Sequence, residues 1–213
     1  MTKKISNSFI DTDIIQKLGG YRSDSLLRKF LTSFGGNLFI HEYLVQEELI
    51  FRGPALDQFN QMVDEEEITV MSITSLEEDE FIEYNSTVQL LAREMDVDLS
   101  KKRDRNAGEV KSMAMAYAMG FEYFISDDRG ARVAAKKHLQ NLDGSCLETI
   151  RMRDIILHIR ENENFLEINR KNAKRLYLYA TNPKLGNNSV EITKLEEISN
   201  RLKKEFDEKL WPI

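Results

Sequence analysis

The alternation of short apolar runs with longer segments of helical periodicity constrains this fold most. Apolar runs occupy 38–40, 68–73 and 123–125, and a segment with helix-spaced apolar residues follows each of them. Strands that alternate with helices are typical of a parallel sheet with helices on both faces. We therefore predict an α/β fold with a doubly wound, mostly parallel sheet flanked by helices.

The character of the chain changes near residue 162. The alternating pattern occupies 1–161, whereas 169–185 is basic and aromatic, and a narrow apolar stripe follows over 190–210. We predict one domain over 1–161, and a basic linker with a C-terminal helical extension over 162–213. Two explanations of the stripe remain open: it packs on the protein's own core, or it contacts a partner or a second copy of the chain.

Composition narrows the functional class. The chain has 213 residues, 41% of them hydrophobic, so it can bury a substantial core. The single cysteine, Cys146, cannot form an intrachain disulfide, which suits a reducing cytosol. No apolar run approaches the about 18 residues of a membrane span. We expect a cytoplasmic protein without a membrane segment. The formal charge of −6 argues against nonspecific coating of nucleic acid, but it allows an enzyme that holds phosphates through metal ions.

Acidic residues follow two of the predicted strands and open one helix. They are Asp11 and Asp13 after the first strand, Asp127 and Asp128 after the strand at 123–125, and Glu109 in the first turn of the helix between. In a parallel sheet, ligands bind beyond the carboxyl ends of the strands. A group of carboxylates there repels itself unless a cation neutralises it, and oxygen ligands favour Mg²⁺ or Mn²⁺.

Helix capping explains the same acids without any ligand. An aspartate before a helix commonly caps its first backbone amides, and Asn106 with Glu109 fits a capping box. One cap needs one side chain, however, and the junctions after both strands carry two acids. The surplus favours a metal site over capping alone.

The order of these motifs resembles the PIN-domain nucleases, including toxin-like PIN ribonucleases, over roughly 7–140. The run FIDT at 9–12 is similar to the first strand of that family, an apolar run closed by Asp and then Thr or Ser. The segment 40–49 resembles the family helix on which an acid lies just before Leu. The Gly-Glu pair at 108–109 opens an Ala-rich helix, and FISDDRGAR at 124–132 matches a strand that ends in an acidic turn and Arg.

The resemblance implies four catalytic acids, and for two of them the adjacent residue in the sequence is also a candidate. The catalytic acids are Asp11, Glu48, Glu109 and Asp128, and the metal ligands among the acids at the strand ends are Asp11, Glu109, Asp127 and Asp128. Glu47 is the rival of Glu48, because neighbouring helical residues lie about 100° apart and one of the two faces the site. Thr12 and Ser126 match hydroxyl positions that support the acids. Asp13 departs from the family pattern, and a cap, a supporting role near the metal or proton transfer all remain open for it.

The implied activity is hydrolysis of RNA phosphodiester bonds with Mg²⁺ or Mn²⁺. Basic residues near the acids are candidates for holding the RNA backbone: Lys101, Lys102, Arg103 and Arg105 before the helix of Glu109, and Arg129 and Arg132 after the acidic turn. Many PIN nucleases are toxins restrained by an antitoxin, so the resemblance permits a protein partner. It also leaves a homo-oligomer open.

Two other functions remain as alternatives. An apolar strand followed by Asp-x-Asp also resembles haloacid-dehalogenase-type phosphatases, with Asp11 as nucleophile, Asp13 as acid and base, and 127–128 as Mg²⁺ ligands. The residues Ile14-Ile15-Gln16 depart from that pattern, and Glu109 gains no role in it. The second alternative is a catalytically weak PIN-like domain that binds RNA or protein. An acid at each matched position argues against it.

Overall fold

A computed structural model describes residues 7–19, 27–28, 36–48, 54–101, 104–140, 146–152 and 154. Described residues up to 151 belong to one compact unit, Lys4–Arg151, and residues 152 and 154 belong to a second unit. The predicted boundary at 161/162 and the predicted C-terminal helical extension lie outside the described residues.

Five short strands form a single parallel sheet. They are β1 (Ser8–Ile10), β2 (Leu38–His41), β3 (Ile68–Met71), β4 (Tyr123–Ile125) and β5 (Glu148–Ile150). Each neighbouring pair is parallel, and the strand order is β3-β2-β1-β4-β5. All three residues of β1 are buried, as expected for a central strand covered on both faces. The predicted α/β fold with a parallel sheet is confirmed at this level.

Helices connect the strands and supply the rest of the core. They are α1 (Thr12–Gly19), α2 (Pro54–Asp64), α3 (Glu78–Glu94), α4 (Ala107–Ala118) and α5 (Arg129–His138), with a π-helix at Leu44–Glu48 and a 3₁₀ turn at Ile73–Ser75. Among the helices that the structure describes, none is long and apolar enough to cross a membrane.

Helix α4 packs against the sheet through a face rich in Ala and Met. Val110 and the run 113–116 are buried, and small side chains allow the helix to approach β1, β2 and β4 closely. The helix ends at Gly120, whose φ of 69° is the left-handed conformation that favours glycine. Four residues later β4 has begun, so the last turn of α4 lies at the amino edge of the sheet. Its first turn consequently lies toward the carboxyl edge.

The strand order places a crevice beside β1. The chain leaves β1 toward β2 on one side of the sheet, while β4 pairs with β1 on the other side. This reversal of direction is the point at which doubly wound sheets bind ligands. In the register, Phe9 pairs with Phe39 and Ile10 pairs with Ile125. The residue after β1, Asp11, therefore lies beside the carboxyl ends of both neighbouring strands.

Candidate functional site

Asp11 is buried at the carboxyl edge of the sheet. Its backbone N–H donates to the Ile125 carbonyl at 2.9 Å, so pairing between β1 and β4 extends one residue past the strands. Asp11 is only 2% exposed. Thr12 Oγ1 donates to its Oδ1 at 3.3 Å, and Ser126 Oγ donates to its Oδ2 at 2.9 Å. The two hydroxyls that were predicted to support Asp11 both contact it. These two hydrogen bonds orient the Asp11 carboxylate.

Ser126 links Asp11 to the start of α5. Its side chain is fully buried, and its Oγ also accepts from the Asp128 backbone N–H at 3.1 Å. Asp128 is the N-cap of α5, with its Oδ1 accepting from the Ala131 N–H at 2.7 Å. Capping therefore explains one oxygen of Asp128. A Cβ at Gly130 would lie 3.0 Å from that oxygen, so glycine leaves room for the cap.

Lys17 is a member of this site that the sequence analysis missed. Its Nζ lies 2.6 Å from Asp13 Oδ2 and 2.5 Å from Asp127 Oδ2, and its side chain is 9% exposed. Burial alone lowers the pKa of this ammonium, but hydrogen bonds and charge from Asp127 and Asp13 outweigh burial and raise the pKa above its ordinary value. Lys17 is therefore a buried cation between two carboxylates.

A local signal for Lys17 exists in the sequence. It lies one turn after Asp13, and three residues after Ile14, which places it on the buried face of α1. Its second partner, Asp127, lies 110 positions away, and only the tertiary fold brings the two together. Asp13 also forms an ion pair with Lys17 within α1, a role that the sequence analysis did not consider for it.

Glu109 lies in the first turn of α4 and is half-buried. Two residues later, Lys111 Nζ lies 3.3 Å from the centre of the Tyr43 ring, just past the end of β2. The start of α4 is thus at the same edge of the sheet as Asp11. The capping box expected from Asn106 and Glu109 is wrong: Asn106 is the N-cap with φ of 66°, and its side chain makes no capping hydrogen bond. The left-handed backbone at Asn106 turns its side chain away from the capping geometry.

A buried histidine lies at the end of β2. His41 is 2% exposed, and its Nδ1 accepts from the Tyr43 N–H at 3.0 Å. The ring proton therefore belongs on Nε2, which lies 3.1 Å from the Tyr84 hydroxyl. Burial, and secondarily the charge of Lys111, lower the pKa of His41 to about 4, against a smaller opposing effect of Glu42. His41 is neutral near pH 7.

The remaining predicted residues are distributed around this edge. Glu47 and Glu48 belong to the π-helix after β2; Glu47 is half-buried, and the side chain of Glu48 is outside the described part of the structure. Arg129 and Arg132 lie in the first turn of α5, directly after Asp128. Arg105 is exposed just before α4. Lys101 is exposed and pairs with Asp98 at 3.4 Å. Lys102 and Arg103 lie outside the described residues.

The side chains at this edge can be compared with the ligands that a divalent cation requires. In the described part of the chain, no three His, Cys, Asp or Glu side chains lie close enough together to hold a metal ion. Asp11 is a buried carboxylate that two hydroxyls orient at this edge, and carboxylate oxygens are ligands of Mg²⁺ and Mn²⁺. Asp127 is less suited as a ligand, because its Oδ2 already contacts an ammonium. Glu109 and Asp128, which were also predicted as ligands, lie toward the same edge of the sheet.

No protein-family model matches the chain, and no curated protein matches it.

Proposed function

We propose that this chain is a divalent-metal-dependent ribonuclease. The observation that carries the proposal is Asp11, a carboxylate that is 2% exposed and oriented by two hydroxyls beside the crevice between β1 and β4. Its location at a topological switch point supports a ligand over a purely structural role.

The residues around Asp11 supply the parts that phosphodiester hydrolysis needs. Asp11 would hold Mg²⁺ or Mn²⁺ directly, while Thr12 and Ser126 orient Asp11. Glu109 and Asp128 lie toward the same edge and would reach the ion through its bound waters. When bound, the ion would polarise the phosphate and lower the pKa of a coordinated water. Arg129 and Arg132 follow Asp128 at the start of α5, where their guanidinium groups would pair with backbone phosphates.

The substrate class and partner rest on the resemblance to PIN nucleases. That resemblance favours RNA, and it permits restraint by an antitoxin or assembly into a homo-oligomer. Acids at the predicted positions support an active enzyme over a catalytically weak binding domain.

The experiment is cleavage of a labelled single-stranded RNA by the purified chain. We expect cleavage with Mn²⁺ or Mg²⁺, none with EDTA, and a loss of about 100-fold or more in Asp11→Asn, since a metal ligand is removed. Asp79→Asn is the matched control, because Asp79 is exposed in the first turn of α3 and should keep full activity. Full activity of Asp11→Asn would refute the proposal.

The same preparation discriminates the alternatives. A small phosphate ester tests the phosphatase, for which Asp13 would have to transfer a proton although its Oδ2 contacts the Lys17 ammonium at 2.6 Å. Turnover of that ester, with phosphate trapped on Asp11, would replace the nuclease by the phosphatase. RNA binding without cleavage under all metal conditions would identify the binding domain.

A further inference from the structure

Helix α5 has small side chains on its buried face and cations elsewhere. Its buried residues are Ala131, Ala134 and Ala135, and they pack into the hydrophobic core. Its sequence, RGARVAAKKH over 129–138, contains no acidic residue, although acids outnumber Lys and Arg in the whole chain by 36 to 30. The cations of α5 therefore lie away from the core, with no acid on their own helix to pair with them.

Three of these cations, Arg129, Arg132 and Lys136, form no ion pair with any carboxylate in the part of the chain that the structure describes. Arg129 and Lys136 are exposed, and Arg132 is half-buried. Lys137 differs from its neighbour Lys136, because Glu94 contacts the Lys137 ammonium at 2.8 Å. In a chain of net negative charge, three such cations on one helix form a local positive surface, which attracts an anionic partner.

The position of α5 in the fold favours a binding surface over cations that only face water. The helix begins directly after Asp128, its N-cap, at the crevice beside β1. Arg129 and Lys136 are seven residues apart, so about 10 Å of helix leads away from the crevice with cations along it. A stacked nucleic-acid strand advances about 3.4 Å per nucleotide, so this length matches about three nucleotides. A strand with one phosphate at the crevice can therefore continue along α5.

We propose that the exposed face of α5 binds the backbone of single-stranded RNA through Arg129, Arg132 and Lys136. The inference rests on the proposed function and adds to it the single-stranded form of the RNA and the path that it follows. Val133 lies among these cations and is 51% exposed, and such an apolar side chain can contact an unpaired base. A duplex keeps its base faces stacked, so it would gain only the phosphate contacts.

The test is the fluorescence anisotropy of a labelled oligouridine titrated with the purified chain in EDTA, which prevents metal-dependent cleavage during the measurement. We expect a plot of log affinity against log salt concentration to have a slope of about −2, or about −0.7 for each of three phosphates. Lys136→Gln should weaken binding about threefold and reduce the steepness of the slope by about 0.7, because one phosphate contact is lost. An RNA duplex of the same length should bind more weakly than the single strand.

Asn60→Asp is the matched control for net charge. It makes the chain more negative by the same amount as Lys136→Gln, at an exposed position of α2, and it should leave the affinity for RNA nearly unchanged.

The outcomes separate this inference from the function it rests on. Equal losses in Lys136→Gln and Asn60→Asp, absence of RNA binding by the wild type, or tighter binding of the duplex would overturn the inference. Cleavage of RNA with Mn²⁺ would leave the nuclease proposal intact in each of these cases. Binding that depends on Lys136, without cleavage under any metal condition, would support the α5 surface and overturn the nuclease proposal.

Discussion

Two of the side-chain clusters that the structure describes have a charged residue between two partners and differ in the burial of that residue. In the first, Lys17 contacts Asp13 and Asp127 at 2.6 and 2.5 Å. In the second, Glu94 at the end of α3 contacts Lys137 and His138 of α5, both at 2.8 Å. The central Lys17 is 9% exposed and the central Glu94 is 28% exposed, while the partners Asp13 and Lys137 are 47% and 58% exposed.

Similar distances therefore carry different energetic consequences. Exposed ion pairs contribute little, because water solvates the separated charges nearly as well. Removing one member of a buried cluster leaves the other charges desolvated and unpaired. The comparison teaches that the exposed fraction, more than the contact distance, decides which cluster the fold depends on.

The largest effect is expected from Lys17→Met. It leaves Asp13 and Asp127 without their shared cation, and we expect the free energy of unfolding to fall by about 3 kcal/mol, the lower end for a buried pair, because Asp13 is 47% exposed to water. Urea denaturation measures the change. Lys137→Met makes the same substitution in the exposed cluster and should change stability far less. Equal losses in the two variants would break the comparison. Lys17→Arg keeps the charge and should lose less than Lys17→Met.

The buried His41 makes the stability of the folded chain depend on pH. The pKa of His41 in the folded chain is about 4, below the ordinary value of 6.5. Between these values the unfolded chain binds a proton that the folded chain excludes, so stability falls as the pH drops from 6.5 to 4. The loss attributable to His41 is about 3 kcal/mol, and it is complete below pH 4. The Tyr84 hydroxyl, Lys111 and Glu42 are the polar groups that face or influence the ring.

Nuclear magnetic resonance measures this directly, since the chain has only three histidines. The His41 ring signal should titrate near pH 4. His41→Asn, whose side-chain oxygen can replace Nδ1 as acceptor, should reduce the fall in stability between pH 6.5 and 4. A His41 ring that titrates near its ordinary value would contradict the prediction.

A smaller effect is expected at Gly19, where α1 packs against α2 without a charged contact. A Cβ added at Gly19 would lie 2.7 Å from Ala55 Cα, a backbone atom of α2 that cannot move alone. Gly19→Ala should therefore cost about 1–3 kcal/mol through overpacking. Thermal denaturation measures it. At Gly120 a Cβ has open space but the backbone φ is 69°, so Gly120→Ala separates backbone strain from overpacking. A Gly19→Ala variant as stable as the wild type would show that α1 and α2 can separate at this point.

The smallest effect is expected from Glu94→Gln. Hydrogen bonds from Lys137 and His138 lower the pKa of Glu94, and its side chain is 28% exposed, so water reaches the carboxylate. We expect only a slight fall in the thermal midpoint at low salt, and a still smaller one at high salt because salt screens exposed charges. A decrease comparable with that of Lys17→Met would show that exposure does not separate the clusters.

Local periodicity was sufficient to predict an α/β fold with a parallel sheet. The apolar runs before Asp11 and Asp127 became neighbouring parallel strands, and their carboxyl ends meet at one edge as expected. The spacing of apolar residues, which distinguishes strands from helices, depends on residues close in sequence, so a single sequence carries that information. The length of α2 and the π-helix at Leu44–Glu48 depend on packing and were not predicted.

The side-chain partners of the residues at this edge could not be predicted from the sequence. Lys17 meets Asp127 across 110 positions, and His41 meets Tyr84 across 43. Such pairs depend on strand order and on which face of a helix is covered. The capping box at Asn106 failed for a different reason, because a residue's identity does not reveal a φ of 66°. Sequence therefore predicted that Asp11 and Asp127 follow strands that meet at one edge of the sheet, and it left their side-chain partners undetermined.

Ser126 has a further consequence for Asp11. The Asp128 N–H donates to Ser126 Oγ, and Ser126 in turn donates to Asp11 Oδ2. Both donors in this two-bond chain point their positive ends toward Asp11, and linked hydrogen bonds polarise one another in a medium of low dielectric constant. The chain acts on Asp11 as a short, uncharged dipole that stabilises negative charge. Ser126→Ala would remove that dipole while leaving the rest of the side chain in place.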